Sequence, residues 1–187
     1  LESWVGIIEG LVKMNNFSPS GKSVTFTGVP AGGWFGEGSL LKDQFRKYDV
    51  IALRDTRVAR MPRATFEWLL EISLPFNRFL LMQLNERLGQ FIGLVETDRM
   101  LDVDTRVARC LAAMFNSHLY PGIEKLVQIS QEEIGYLSGA SRQRANQALH
   151  LLEKEGLVRI DYGGIRVLVR RDLYGRSVFH CPFCDGW

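Results

Sequence analysis

The feature that most constrains the fold is a pair of short helical segments joined by a glycine turn in the last third of the chain. Ser130 and Glu133 form the S-x-x-E pattern of a capping box, which begins one helix. Residues 138–141 (SGAS) contain a turn, and Ser141 is a residue type that caps a second helix. Gly156 is placed to end that second helix. This order predicts a helix-turn-helix over residues 131–155.

Two short apolar segments follow the second helix. Residues 157–162 and 165–169 are rich in β-branched and apolar side chains, and Gly163 and Gly164 join them as in a tight hairpin. A hairpin directly after a helix-turn-helix predicts the wing of a winged helix-turn-helix.

The second helix separates small and apolar residues from polar ones. At 100° per residue one arc consists of Ala145, Ala148, Leu149 and Leu152. The opposite arc consists of Arg142, Gln143, Asn146, Gln147 and His150. Arginine can donate two hydrogen bonds to guanine, and glutamine or asparagine can pair with adenine, so this arc is suited to the major groove.

Two interpretations of the polar arc differ in their physical consequences. It is either a solvated helix face or a surface that recognises DNA. Arg142 and Arg144 lie in the first turn, where the helix dipole disfavours cations by a few tenths of a kcal/mol each. A helix selected only for stability would carry acidic residues there, so the arrangement favours DNA recognition. The predicted DNA-binding residues are Ser141, Arg142, Gln143, Arg144, Asn146 and Gln147.

The bulk composition excludes several classes of protein. The chain has 187 residues and a net charge of +2, so any nucleic-acid-binding patch must be local. It contains neither an apolar run of about 20 residues nor a signal-peptide pattern at its first residues. Three cysteines are too few for a disulfide framework, which predicts a cytoplasmic protein. Because the sequence shows no Ser-His-Asp, paired-carboxylate or H-E-x-x-H arrangement, we do not expect an enzyme.

The first part of the chain has the character of strands. Apolar and β-branched runs at residues 4–14, 24–29 and 50–61 are separated by turn-forming segments at 15–22 and 30–38. This pattern predicts an antiparallel β unit.

A change to helical character follows, with a short helix predicted over 63–71, a long one over 76–98 and another over 103–115. The long helix carries an apolar stripe at heptad spacing, formed by Leu81, Leu84, Leu88, Phe91 and Val95. Either the stripe packs against the β unit, or it pairs with the same helix of a second copy in a parallel dimer. Its narrowness favours the dimer.

Residues 129–160 (ISQEEIGYLSGASRQRANQALHLLEKEGLVRI) resemble the DNA-binding domain of the Crp–Fnr family of bacterial transcription regulators, and the similarity extends over almost the whole chain. The resemblance implies that Arg142, Gln143 and Gln147 contact bases. The turn at 116–124 resembles the loop by which some members contact RNA polymerase. The partners implied are double-stranded DNA with a near-palindromic operator, a second copy of the chain, and RNA polymerase.

The resemblance also implies an α+β fold with four segments. These are an antiparallel β-roll of the cyclic-nucleotide-binding kind over 1–74, a long dimerisation helix over 75–101, a winged helix-turn-helix over 102–176 and a tail over 177–187. Family members carry further strands before the segment that resembles WVGIIEGLVKM, so the β-roll is expected to be incomplete at its N-terminal side.

Residues 32–41 (GGWFGEGSLL) resemble the phosphate-binding cassette of cyclic-nucleotide-binding domains. Glycines let the backbone approach a ligand, a glutamate can accept a ribose hydroxyl proton, and an arginine can neutralise a phosphate. The predicted effector-binding residues are Gly36, Glu37, Gly38, Ser39 and Arg46.

The cassette departs from the cAMP-binding pattern at three positions. Lys47 replaces a serine, and Phe91 and Ile92 replace an adenine-contacting Thr-Ser pair with side chains that form no hydrogen bonds. A buried purine edge left unpaired would cost roughly 1–3 kcal/mol. These departures argue against cAMP and leave another cyclic nucleotide, a different small effector or a purely structural roll.

The tail contains a C-x-x-C pattern at Cys181 and Cys184, and Cys110 is the remaining cysteine. Structural zinc and iron–sulfur clusters take four ligands, and the chain offers no thioredoxin-like βαβ pattern. We therefore expect no metal site and a passive tail. Two alternatives to the regulator are a thiol or metal redox protein and a sensing module without DNA binding, although the intact polar arc argues against the latter.

Overall fold

The computed structural model describes residues 3–17, 23–100, 102–123 and 126–168. Of residues 96–100 it describes only the helical backbone. Contacts divide the chain into two compact units. The first contains the residues up to Gln90 together with Ser117–Gly122, and the second contains Phe91–Asn116 and the residues from Ile123 onward. The domain limits expected from the sequence remain predictions.

The first unit contains two antiparallel three-stranded sheets. Its described strands are β1 (Ser3–Glu9), β2 (Leu11–Phe17), β3 (Ser23–Pro30), β4 (Trp34–Phe35), β5 (Asp49–Ala52) and β6 (Arg57–Pro62). One sheet has the order β4-β1-β6 and the other β3-β2-β5, which confirms the predicted antiparallel β unit. Gly10, at φ 106°, divides the apolar run at 4–14 between the two sheets. A Cβ there would lie 2.4 Å from Thr56 Oγ1, so the turn requires glycine.

The core of the first unit lies between β1 and the helices beside it. These helices are α1 (Glu37–Lys42), α2 (Arg63–Ile72) and α3 (Leu74–Met100). Trp4 is buried with Leu40, Phe66 and Leu80, and its ring centroid lies 5.5 Å from that of Phe66 in an edge-on arrangement. Each fully buried apolar side chain of this size contributes about 1.5–3 kcal/mol, so this cluster holds the helices against the sheet.

The long helix α3 was predicted over 76–98 and extends slightly further at both ends. In the part that belongs to the first unit, Leu80, Gln83 and Arg87 are buried, whereas Leu81 and Leu88 are exposed. Within the described residues, no helix combines the length and the apolar character that crossing a bilayer requires.

The loop Ser117–Gly122 packs within the first unit. The Tyr120 side chain is fully buried, and its hydroxyl donates to the carbonyl of Gly28 at 3.1 Å. The Gln83 side-chain amide donates to the carbonyl of His118. The Tyr120 ring packs closely against Gly33, where an added Cβ would lie 2.8 Å from ring carbon Cε1. A loop that resembles a polymerase-contacting surface therefore has a buried centre.

The second unit consists of the helices and hairpin that the sequence predicted. Its elements are α4 (Val103–Met114), β7 (Leu126–Val127), α5 (Gln131–Ser138), α6 (Arg142–Lys154), β8 (Val158–Asp161) and β9 (Gly164–Val167). The sheet has the antiparallel order β7-β9-β8. Helix α6 packs against α4 and α5, and Ala145 and Ala148 are fully buried. The predicted strand over 165–169 ends outside the described residues at Val169.

Candidate functional site

Both helices of the helix-turn-helix begin at the residues that the sequence predicted. The Ser130 hydroxyl accepts from the backbone N–H of Glu133 at 3.2 Å, and the Glu133 carboxylate accepts from the N–H of Ser130 at 2.7 Å. Ser141 caps α6 by accepting from the N–H of Arg144 at 3.3 Å. These bonds satisfy N–H groups at the helix ends and so fix where α6 begins.

The exposed face of α6 carries most of the predicted DNA-binding side chains. Arg142, Gln143 and Gln147 are exposed, whereas Leu149 and Leu152 on the opposite side are buried. The helix therefore presents guanidinium and carboxamide groups in the arrangement that can pair with base edges.

Asn146 differs from the expectation for this face. It is half-buried, and its Oδ1 is enclosed without a hydrogen-bond partner. On a helical projection it lies about 60° from both Leu149 and Gln143 and about 100° from Gln147, which puts it at the border of the apolar face. Asn146 is therefore less exposed than Gln143 and Gln147, and its contact with DNA stays a prediction.

Arg144 has two side-chain partners, one of which the sequence reasoning missed. Its Nη1 donates to Gln147 Oε1 at 2.8 Å, and its Nη2 lies 3.2 Å from Asp104 Oδ1 on α4. Arg144 and Asp104 are 40 residues apart in the sequence, so no local sequence pattern indicates that they pair.

The wing contains a second pairing of arginines with an aspartate. Arg159 and Arg166 face each other across β8 and β9, and Asp161 contacts both, at 2.8 and 2.7 Å. Hydrogen bonding from Arg159, followed by that from Arg166, lowers the pKa of the Asp161 carboxyl. Like charges opposite each other destabilise a strand pair, so Asp161 offsets this repulsion and leaves the wing hairpin with a net positive charge.

In the first unit, the predicted effector residue Glu37 is buried and engaged by the protein itself. The Trp4 indole N–H donates to its Oε2 at 3.3 Å. Arg87 Nε lies 3.3 Å from its Oε1 in an ion pair without hydrogen-bond geometry. Arg87 also donates to the carbonyl of Trp34 at 2.6 Å. The sequence reasoning did not identify Trp4 and Arg87, because both are remote from the glycine-rich segment.

The other predicted effector residues differ in how exposed they are. Gly36 is the N-cap of α1 at φ 97°, Ser39 is buried and Gly38 is exposed. The Arg46 guanidinium is half-exposed, 5.5 Å above the centre of the Phe35 ring.

Tyr48 completes this cluster and was also missed. Burial, followed by the charge of Glu37, raises the pKa of its hydroxyl, to which the backbone of Gly36 is hydrogen-bonded. A tyrosine side chain thus occupies part of the hydrogen-bonding surface that the cassette residues were expected to offer a ligand.

The stripe on α3 is exposed only in part. Leu81, Leu88 and Val95 are more than half exposed, as is Ile92. Leu84, one of the predicted dimer residues, is half-buried and packs against the core cluster around Trp4. Phe91, another predicted dimer residue, is half-buried as well. The exposed apolar side chains therefore form a narrower row than the predicted stripe.

Cys110 is the one cysteine among the described residues. The residue as a whole is partly buried, and burial raises the pKa of its thiol to about 12. Cys181 and Cys184 lie outside the described residues. Among the described side chains, no cluster of three or more His, Cys, Asp or Glu residues is placed to hold a metal ion.

Comparison with known proteins identifies both units. Residues 1–73 match the family model of the cyclic nucleotide-binding domain, and residues 105–175 match that of the Crp-like helix-turn-helix domain. The chain is similar to the cyclic AMP receptor protein of Thermus thermophilus, with 30% identity over 167 residues that cover 86% of this chain and 73% of the relative.

Two further relatives agree with this assignment. A CRP-like cAMP-activated global transcriptional regulator of Mycobacterium tuberculosis is 30% identical over 162 residues, which cover 83% of this chain and 70% of that protein. The structure of FixK2 from Bradyrhizobium japonicum has the same fold, with a TM-score of 0.67, 18% identity and coverage of 92% of this chain and 85% of that one. The chain therefore belongs to the Crp–Fnr family of DNA-binding transcription regulators.

Proposed function

We propose that the protein regulates transcription in the cytoplasm as a homodimer, with α6 of each copy in the major groove of a near-palindromic operator. The observation that carries this proposal is the exposed row of Arg142, Gln143 and Gln147 on a helix that is capped at Ser141 and anchored by buried alanines. Two recognition helices reading half-sites about 34 Å apart account for a palindromic site. This role requires no catalytic residues, and we propose none.

The base-reading role of Arg142 can be tested by DNA binding. Replacing Arg142 by alanine is expected to cost roughly 1–3 kcal/mol of specific binding and to relax base preference at one position per half-site. Gel-shift titrations with a selected operator and with random duplex measure both effects. Lys154→Ala, which removes an exposed cation from the last turn of the same helix, is the matched control. Unchanged affinity for both duplexes would refute the assignment of Arg142.

A dimer would use the exposed part of α3. Leu81, Leu88, Ile92 and Val95 recur at spacings of seven, four and three residues, which is the a/d pattern of two paired helices. A half-buried Leu84 supports the core of its own unit and so lies outside this interface.

We propose a small effector other than cAMP at the cassette that contains Gly36, Glu37, Gly38, Ser39 and Arg46. Glu37 already accepts from Trp4 and pairs with Arg87, so a ligand would have to displace one of these contacts. The two positions that resemble the adenine-contacting pair, Phe91 and Ile92, have no polar side-chain atom. Repeating the gel-shift titration with cAMP and with cGMP tests this point, and a cAMP-dependent gain in specific binding would contradict it.

We further propose RNA polymerase as a partner. Leu119 and Tyr120 at the centre of the loop Ser117–Gly122 are buried, so a polymerase contact would use the exposed Ser117, His118 and Pro121 instead.

A further inference from the structure

The two contacts of Arg144 bear directly on how Gln147 reads DNA. Arg144 lies in the first turn of α6, between Asp104 of α4 and Gln147 one turn further along. Its Nη2 lies 3.2 Å from Asp104 Oδ1, and its Nη1 donates to Gln147 Oε1 at 2.8 Å. All three side chains belong to the second unit, and each is at least partly exposed.

The chemistry of arginine fixes the orientation of the glutamine. A guanidinium group has five N–H donors and no acceptor, so only the oxygen of a carboxamide can face it. The Gln147 oxygen is therefore directed toward Arg144, and its NH2 group is left to contact other molecules. Asp104 of α4 pairs with the other side of the guanidinium. This ion pair holds the Arg144 side chain against α4 and restricts its orientation.

This orientation determines which base Gln147 can recognise. Bidentate pairing with adenine requires a glutamine oxygen to accept from the N6 amino group and a glutamine N–H to donate to N7. The oxygen keeps a second lone pair, but while it is fixed on Arg144 it cannot also move into line with adenine N6, so Gln147 acts toward the base as a donor. Guanine presents two acceptors in the major groove, N7 and O6, whereas adenine N7 and thymine O4 are single acceptors and cytosine presents a donor that would face the glutamine N–H groups.

We infer that Gln147 reads a guanine as a donor only, and that Asp104 and Arg144 are positioning residues that impose this choice. The inference rests on the proposed DNA-binding function and deepens it, because it assigns a base preference to one side chain. It differs from the sequence-based expectation, in which a glutamine on this face can pair with adenine and Arg144 is itself a DNA-binding residue. Arg144 acts here through Gln147.

Selection of binding sites from a randomised duplex pool tests the inference. The wild type is expected to select guanine at one position per half-site, and Gln147→Ala identifies that position by losing the preference there. In Arg144→Leu the glutamine oxygen is free, so the preference should move toward adenine. The guanine-to-adenine ratio should fall roughly fivefold to tenfold, the scale of one ordinary hydrogen bond in water.

Two further variants separate positioning from other roles of Arg144. Asp104→Asn keeps the arginine but weakens its anchor, so it should shift the same position in the same direction by a smaller factor. Arg159→Leu is the matched control, since Arg159 is also an exposed arginine paired with an aspartate, Asp161. It should weaken binding to all sequences without moving any base preference. Circular dichroism melting confirms that each variant is folded.

The outcomes distinguish this inference from the proposed function. If the wild type selects no sequence, the proposed function fails. If the wild type selects DNA but prefers any base other than guanine, or no base, at the position of Gln147, the inference is wrong. It is also overturned if Arg144→Leu lowers affinity uniformly, with a salt dependence smaller by about one phosphate contact and no change of base, because Arg144 would then bind the backbone.

Discussion

Replacing Arg87 by methionine tests the buried charge pair of the first unit. The side chains of Arg87 and Glu37 are 9% and 7% exposed, and Arg87 Nε lies 3.3 Å from Glu37 Oε1. Methionine fills the space of the aliphatic stem but leaves the carboxylate without its cation and the Trp34 carbonyl without a donor. Removing one member of a buried pair costs about 3–5 kcal/mol. We expect the lower end of this range, because Trp4 still donates to Glu37.

Urea unfolding followed by tryptophan fluorescence measures this change. With Trp187 replaced by phenylalanine in every variant, the signal comes from Trp4, Trp34 and Trp68, which belong to the first unit, and so reports on its unfolding. The double variant with Glu37→Gln should lose less free energy of unfolding than the sum of the two single variants, by about 1–3 kcal/mol. That difference is the coupling between the two side chains.

Arg63→Met is the matched control for the loss of an arginine. Arg63 pairs with Asp43 and Glu67, whose side chains are 79% and 52% exposed, and such surface pairs contribute about 0–1 kcal/mol. The reasoning about burial is refuted if Arg87→Met destabilises the first unit no more than Arg63→Met does. Strict additivity of the Arg87 and Glu37 variants would also refute it.

Two further predictions concern α3 and α4. Leu88→Asp should convert the dimer to monomers in analytical ultracentrifugation, because it places a carboxylate in the exposed apolar row. Met82 is also exposed but lies about 120° away around the helix, so Met82→Asp should leave the dimer intact. Equal dissociation by both variants would contradict this interface. Asp102 caps α4 by accepting from the N–H of Thr105 at 2.9 Å, and this bond lowers the pKa of its carboxyl. Because the folded-state pKa is depressed, the carboxylate stabilises α4 above the unfolded pKa of about 3.9, and this contribution is lost as the pH falls through the lower folded value. Asp102→Asn, which keeps the cap without a charge, should therefore show a smaller fall of the melting temperature between pH 5 and pH 2 than the wild type, and parallel curves would count against the cap.

The sequence alone determined the parts of this protein that depend on near neighbours. The capping box at Ser130 and Glu133, the cap at Ser141 and the apolar period of α6 each involve residues within a few positions of one another. Backbone hydrogen bonding and helical periodicity act over these distances, so the winged helix-turn-helix and its exposed Arg142 could be predicted from the residues themselves.

Only the tertiary structure decided which of the polar side chains are already engaged. Asp104 reaches Arg144 across 40 residues, Trp4 reaches Glu37 across 33, and Tyr120 reaches Gly28 across 92. None of these pairs has a local signal, because each depends on how separate elements pack. The pairs matter physically because an engaged oxygen or guanidinium can no longer serve a base or an effector without first breaking its bond. For this reason the composition of α6 indicated contact with DNA, whereas its hydrogen bonds indicate which base Gln147 reads.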